Sequence, residues 1–239
     1  MAIPEAIKFA TKPQLAQQML QSAFKSGIRP AWFVADEVYG TDGSLWWWLE
    51  QTGEQPYVLT VNKKQSVVLG WQRYQAQELV QSLAPESWQR LSCGTGSKGE
   101  RYYDWARIAV NCDASRGFQR WLLFRRSLEH PNDPRFISYY QVFAPSDTSL
   151  ETMVQIAGQR WRIEECFKLA KDSLGLGEYE VRSWHGWHRH ITLVLAAQTF
   201  LTVLRHSSEP AFNRTTPPLK TAAIGTLAAF KAARGLLSA

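Results

Sequence analysis

Trp32-Phe-Val-Ala-Asp36-Glu-Val-Tyr-Gly40 decides the fold: an apolar run ends in an acidic residue, with a glycine and a helix-start signal following. Such a run reads as a buried strand with Asp36 at its carboxyl end, where open α/β sheets place their ligand-binding crevice. An aspartate there can equally cap the turn or helix that follows. On the amino-terminal side, residues 13–27 carry apolar positions at helical spacing and end in a glycine, which predicts a helix. On the other side, residues 41–53 predict a short helix ending at Gly53, and residues 56–61 a strand returning to the sheet. Trp46-Trp-Trp48 falls in that helix as core and rim.

The texture changes between residues 63 and 145. Segments 67–70, 101–110, 119–126 and 137–143 are rich in β-branched and aromatic residues, with turn clusters at 93–99 and 130–134 between them. This predicts an antiparallel β-rich insertion. Asp147 or Thr148 is then expected to cap one helix running to about Leu174, with Gly175 and Gly177 ending it. A last helix is expected over residues 186–206. Its apolar stretch, Ile191 to Leu204, is too short for a bilayer span of about 20 residues and reads as a buried core helix. Residues 207–218 read as a linker, and 219–237 are Ala-rich with weak helical periodicity.

Within the expected helix lies Arg160-Trp-Arg-Ile-Glu164-Glu-Cys-Phe-Lys-Leu-Ala-Lys171. At about 100° per residue, Arg160, Glu164 and Lys171 fall within about 40° of one another. A carboxylate between two cations on one stripe suits a site that ligates a divalent metal and grips a phosphodiester. The same spacing also suits a solvated face laced with i,i+4 ion pairs.

Together the two quoted segments resemble the DDE transposases of bacterial insertion sequences, in particular the group marked by Tyr-x2-Arg-x3-Glu-x6-Lys. Arg160, Glu164 and Lys171 stand at its Arg, Glu and Lys positions, and Ala157 stands where the pattern has Tyr. Asp36 matches the second aspartate in its V-x-D-x-x-Y-G context, and the resemblance runs over residues 13–205. It implies an RNase H-like α/β domain interrupted by a β insertion. It also implies cleavage and strand transfer at transposon ends with two Mg²⁺ (or Mn²⁺) ions. Asp36 and Glu164 would be the catalytic metal ligands, lying close in space, and Arg160 and Lys171 would hold DNA phosphates.

The first aspartate of that family has no counterpart here, because residues 1–35 contain no Asp and only Glu5 as an acid. The expectation is therefore an RNase H-like domain truncated at its N-terminus, inactive alone. Its partners would be DNA and either the missing N-terminal part or an intact transposase, and a homodimer is possible on this view. The expected parts are a partial core (1–62), the β insertion (63–146), a helical completion carrying Glu164 (147–206) and a tail (207–239). The alternative is a catalytically inactive DNA-binding relic or modulator of an intact transposase. A nuclease unrelated to transposition needs another acid facing Asp36, and Asp104, Asp113 and Asp133 all fall inside the insertion.

Composition agrees with a nucleic-acid partner. The net charge of +6 favours a polyanion, and 45% hydrophobic residues can fill a core. In the β-rich region Trp71, Trp88, Trp105 and Trp121 interleave with Arg73, Arg90, Arg101, Arg107, Arg120, Arg125 and Arg126. Arg125 and Arg126 are expected phosphate contacts, although strand alternation alone also produces such a pattern. The glycines at 93–99 lack the Lys-Ser/Thr ending of a P-loop. His185, His188 and His190 show no metal spacing and read as phosphate contacts at a helix start. Cys93, Cys112 and Cys166 form neither a CxxC pair nor an even set, and no leader-like apolar run precedes Pro13. A reducing, cytoplasmic, nucleoid-associated setting is expected.

Overall fold

Thr11 opens the first helix with a reciprocal cap. Its hydroxyl accepts from the Gln14 amide at 3.4 Å while the Gln14 side chain accepts from the Thr11 amide at 2.9 Å. The helix that follows is α1 (Lys12–Lys25), with Pro13 in its first turn, where a missing N–H costs nothing. A computed structural model of the chain describes residues 4–5, 7–96, 99–112, 117–180 and 182–208. The chain divides into a unit of residues 32–161 and a second unit of residues 1–31 with 162–239.

In the unit of residues 32–161, β1 (Phe33–Ala35) runs parallel to β2 (Tyr57–Val61), Val34 opposite Val58. Between them lie α2 (Glu37–Gly40) and α3 (Gly43–Gly53), the latter capped by Asp42 and closed by Glu54 in the left-handed region at φ 47°. Next come the hairpin β3 (Ser66–Leu69) and β4 (Gln72–Gln75), the helix α4 (Ala76–Gln81), and the long strands β5 (Gln89–Gly96), β6 (Gly99–Val110), β7 (Phe118–Arg126) and β8 (Ile137–Pro145). The helix α5 (Leu150–Gln159) completes the unit. β8 pairs with β2, so one sheet of order β1-β2-β8-β7-β6-β5 carries both the Asp36 strand and the β-rich block. This mixed α/β architecture is the one expected of an RNase H-like domain.

Strand alternation gives the sheet two buried faces. Val58, Trp105, Trp121, Leu123, Tyr140 and Val142 meet Leu150, Met153, Val154 and Ala157 of α5 on one face. Val61, Leu122, Phe124 and Tyr139 meet Val67, Ala76, Leu79 and Val80 on the other. On this second face Arg120 reaches buried Glu50 of α3, which also accepts from the Tyr57 hydroxyl at 2.5 Å, while Gln141 donates to that hydroxyl oxygen at 2.9 Å. Burial, and then the Glu50 carboxylate, pushes the Tyr57 phenol well above its usual range, so it remains a donor.

Two helix expectations are corrected. Residues 147–174 do not form one helix. Ser149, rather than Asp147 or Thr148, caps α5 by accepting from the Thr152 amide at 3.2 Å, and Thr148 belongs to the preceding turn. Helix α5 ends at Gln159, and α6 (Arg162–Leu174) starts after Arg160 and Trp161. A long-range contact accompanies the break. Arg101 on β6 donates to the Gly158 carbonyl at 3.2 Å, the acceptor that a continuous helix would offer to the Arg162 amide.

In the second unit, α7 (Trp184–Ser208) packs on α6 but is not a buried core helix. Val194 and Gln198, one turn apart, are buried, and Gln198 donates to the Cys166 carbonyl at 2.9 Å. Leu193, Phe200, Leu201, Val203 and Leu204 are exposed, because apolar residues encircle this helix while α6 covers a single stripe. Among the described residues no helix is long and apolar enough to cross a membrane. The expected linker and Ala-rich tail beyond Ser208 lie outside the described residues.

Candidate functional site

A cleft of about 570 Å³ opens on the α5 side of the sheet, next to the carboxyl end of β1. Asp36 borders it. The side chain is exposed, and its Oδ1 accepts from the Val38 amide at 3.0 Å, so the helix-capping role is real. Capping one oxygen fixes the carboxylate at the rim and leaves Oδ2 turned to other partners. Burial raises the neighbouring Tyr39 phenol above its usual range, and the Asp36 charge adds to the effect.

The turn bearing Asp36 is held by a main-chain contact. A Cβ on Gly40 would stand 1.9 Å from the Thr60 carbonyl oxygen, so only glycine lets α2 settle this close to β2. Gly158 repeats the device across the cleft, where a Cβ would stand 1.9 Å from the Cys93 carbonyl oxygen.

Three guanidinium groups face this space. Arg125 on β7 donates to Ser138 Oγ at 2.8 Å and lies 4.5 Å above the Tyr103 ring, which orients it. Arg160 closes α5 and is half-buried. Arg101 binds the carbonyls of Gly94 at 3.2 Å and Cys93 at 3.1 Å as well as that of Gly158, which makes it a clamp on the cleft wall. Against them stand Asp36 and Glu37, so the lining carries an excess of fixed positive charge suited to an anion. Burial pushes the Cys93 thiol up, which disfavours a thiolate nucleophile there.

Of the other expected site residues, Arg126 turns away from the cleft. Arg126 follows Arg125 on an extended strand and so points to the opposite face. There its Nε and Nη2 both lie 3.3 Å from Asp104 Oδ2, with the guanidinium 4.2 Å above the Trp88 ring. Glu164 and Lys171 are exposed on α6, in the second unit, about 20° apart around the helix. Arg160 sits before the break, so the stripe expected from the sequence is shared between two helices.

Asp36 is a hard oxygen donor of the kind that Mg²⁺ takes. Among the described residues no three His, Cys, Asp or Glu side chains are grouped as metal ligands. Sequence reasoning missed Ser138 and Tyr103 as cleft residues and did not foresee Arg101 as a clamp. Ser138 faces Arg125 through the β7–β8 register, which no local pattern reveals.

Fold and cleft together define a mixed α/β protein with an acidic strand end facing a cationic wall. Residues 1–111, a little under half of the chain, match the family described as DDE superfamily endonuclease. The matched stretch carries α1, the Asp36 turn and the strands to β6, and ends before Glu164. No curated protein was found to match the chain.

Proposed function

We propose that the chain acts in DNA transposition, as part of a transposase working at insertion-sequence ends. The observation that carries this is the cleft in which Asp36 at a strand end shares a wall with Arg101, Arg125 and Arg160, in a chain whose residues 1–111 match the DDE superfamily endonuclease family. Arg125 and Arg160 would bind phosphate oxygens, with Ser138 and Tyr103 fixing the Arg125 fork before the ligand arrives. Asp36 and, from α6, Glu164 would be ligands of Mg²⁺ or Mn²⁺, while Lys171, on the Glu164 face of that helix, would take a neighbouring phosphate. When bound, the metal supplies a nucleophilic oxygen and stabilises the leaving one. The chain itself binds and orients the strand. Arg126, engaged by Asp104, holds the sheet.

The second reading is a catalytically inactive DNA-binding module that modulates an intact transposase. On that second reading, with labelled insertion-end DNA and Mg²⁺ or Mn²⁺, the chain alone should bind in a salt-sensitive way and leave the strands intact. Added to an intact transposase of the same element, it should change the cleavage yield. Failure to bind DNA at low salt would remove this function. Metal-dependent cleavage by the chain alone, lost in Glu164→Gln, would show that the site is complete.

A further inference from the structure

Trp71 is fully exposed at the tip of the β3–β4 hairpin, where Gly70 and Trp71 alone connect the strands. Gly70 takes φ 63°, the left-handed conformation that two-residue hairpin turns demand. Nothing in the turn demands a tryptophan, and a fully exposed ring contributes no burial to the fold. Yet the turn is held firmly. Asn111 accepts from the Gly70 amide at 3.0 Å and donates to the Gly70 carbonyl at 2.7 Å through its side chain, while its own amide donates to the Val68 carbonyl at 2.8 Å. Buried Val67 anchors the hairpin beneath. A large aromatic side chain on a fixed turn has little entropy left to lose and its whole apolar area still to bury, the condition of a binding hot spot.

The surrounding charge identifies the partner. Residues 55–77 contain Lys63, Lys64 and Arg73 and no Asp or Glu. All three are exposed, and among the described residues none takes part in an ion pair. Glu37 borders the two lysines without pairing with them. Arg73 stands opposite Val68 on the outer side of the hairpin, beside the tip. Unneutralised cations next to a projecting aromatic ring fit a polyanion that also offers stacked rings.

We propose that Trp71 is a wedge that enters between the bases of duplex DNA while Arg73, Lys63 and Lys64 hold its phosphates. The hairpin packs on the sheet face opposite the Asp36 cleft, so this is a second DNA contact. It rests on the DNA-binding function proposed above. The test uses the full chain and a short duplex carrying 2-aminopurine, whose fluorescence rises when its neighbours unstack. Wild type should raise the signal. Trp71→Ala should abolish the rise and weaken affinity at least about tenfold, the scale of one lost base stack. Its thermal unfolding and salt slope should match wild type, since neither core nor phosphate contacts change. Trp71→Phe should keep most of the signal, and Arg73→Ala should lower the slope of log K against log salt by about 0.9. An unchanged signal and affinity in Trp71→Ala overturns the wedge and leaves the DNA function standing. No DNA binding by wild type overturns both. Loss of binding to phosphatidylserine vesicles, with DNA binding intact, overturns the wedge in favour of a lipid contact.

Discussion

Replacing Gly40 by alanine tests whether main-chain contact sets the position of Asp36. The backbone at Gly40 lies outside the left-handed region, so alanine meets no conformational penalty there. In open space such a change would stabilise by about 0.4–1 kcal/mol, through helix propensity and a less flexible unfolded chain. Here the new methyl would stand 1.9 Å from the Thr60 carbonyl oxygen, 2.9 Å from its carbon and 3.2 Å from Leu59 Cβ. Ordinary contact is about 3.5–4 Å, and two of the three obstacles are backbone, so α2 must lift by about 1.5 Å. Overpacking of this kind costs about 1–3 kcal/mol, and loss of the burial beneath α2 adds to it. A net destabilisation of about 2 kcal/mol is expected. Gly43→Ala is the control, because its methyl would meet only the Trp46 ring, at 3.7 Å and beyond. Urea unfolding of the three proteins reads the difference. If Gly40→Ala is as stable as wild type, or Gly43→Ala is destabilised to the same degree, the steric explanation is wrong.

Arg125→Ala should weaken DNA binding and lower the salt slope by about 0.9, whereas Arg126→Ala should leave that slope unchanged and lower stability, because Asp104 loses a partner; filter binding and unfolding curves separate the two. Arg120→Ala leaves Glu50 buried beside Tyr57 and should cost about 3–5 kcal/mol by urea unfolding, while Arg120→Met with Glu50→Leu should recover most of it. Hydrogen bonds from Arg135 hold the Asp133 carboxyl down at about 2, below its ordinary 3.8. The stability this pair adds is therefore present above about pH 4 and is lost as pH falls toward 2, and in Asp133→Asn that part of the acid limb should vanish. A carboxyl titration by NMR with a midpoint near the ordinary value would contradict the pairing.

The parts of this structure legible in the sequence are those whose causes are local. Gly27 and Gly53 mark the ends of α1 and α3 because end signals act over a few residues. The Asp36 strand stands out because Phe33, Val34 and Ala35 are apolar without a break, although β1 proves to be a half-buried edge strand. Locality also explains the failures. The break after Gln159 coincides with a contact from Arg101, a guanidinium 57 positions upstream of the carbonyl it takes. The exposure of α7 could not be read from its composition, since an all-round apolar helix signals burial without saying how many neighbours exist to provide it. Arg125 and Arg126 were separable by the two-residue period alone. That Ser138 orients one and Asp104 engages the other follows only from register. For the site, Asp36 was legible at a strand end, and the arginine wall became visible only when β6, β7 and α5 were assembled.

The two close approaches at Gly40 and Gly158 also bear on how sequences of this kind can drift. One sets α2 against Thr60, the other sets α5 against Cys93, and these are opposite borders of the same cleft. Both walls are therefore gauged by backbone against backbone, a dimension indifferent to which aliphatic or aromatic side chains fill the layers behind. Core residues can be exchanged across a lineage while the gap between Asp36 and the arginines keeps its width. A single codon change from glycine at either position would alter that width at once.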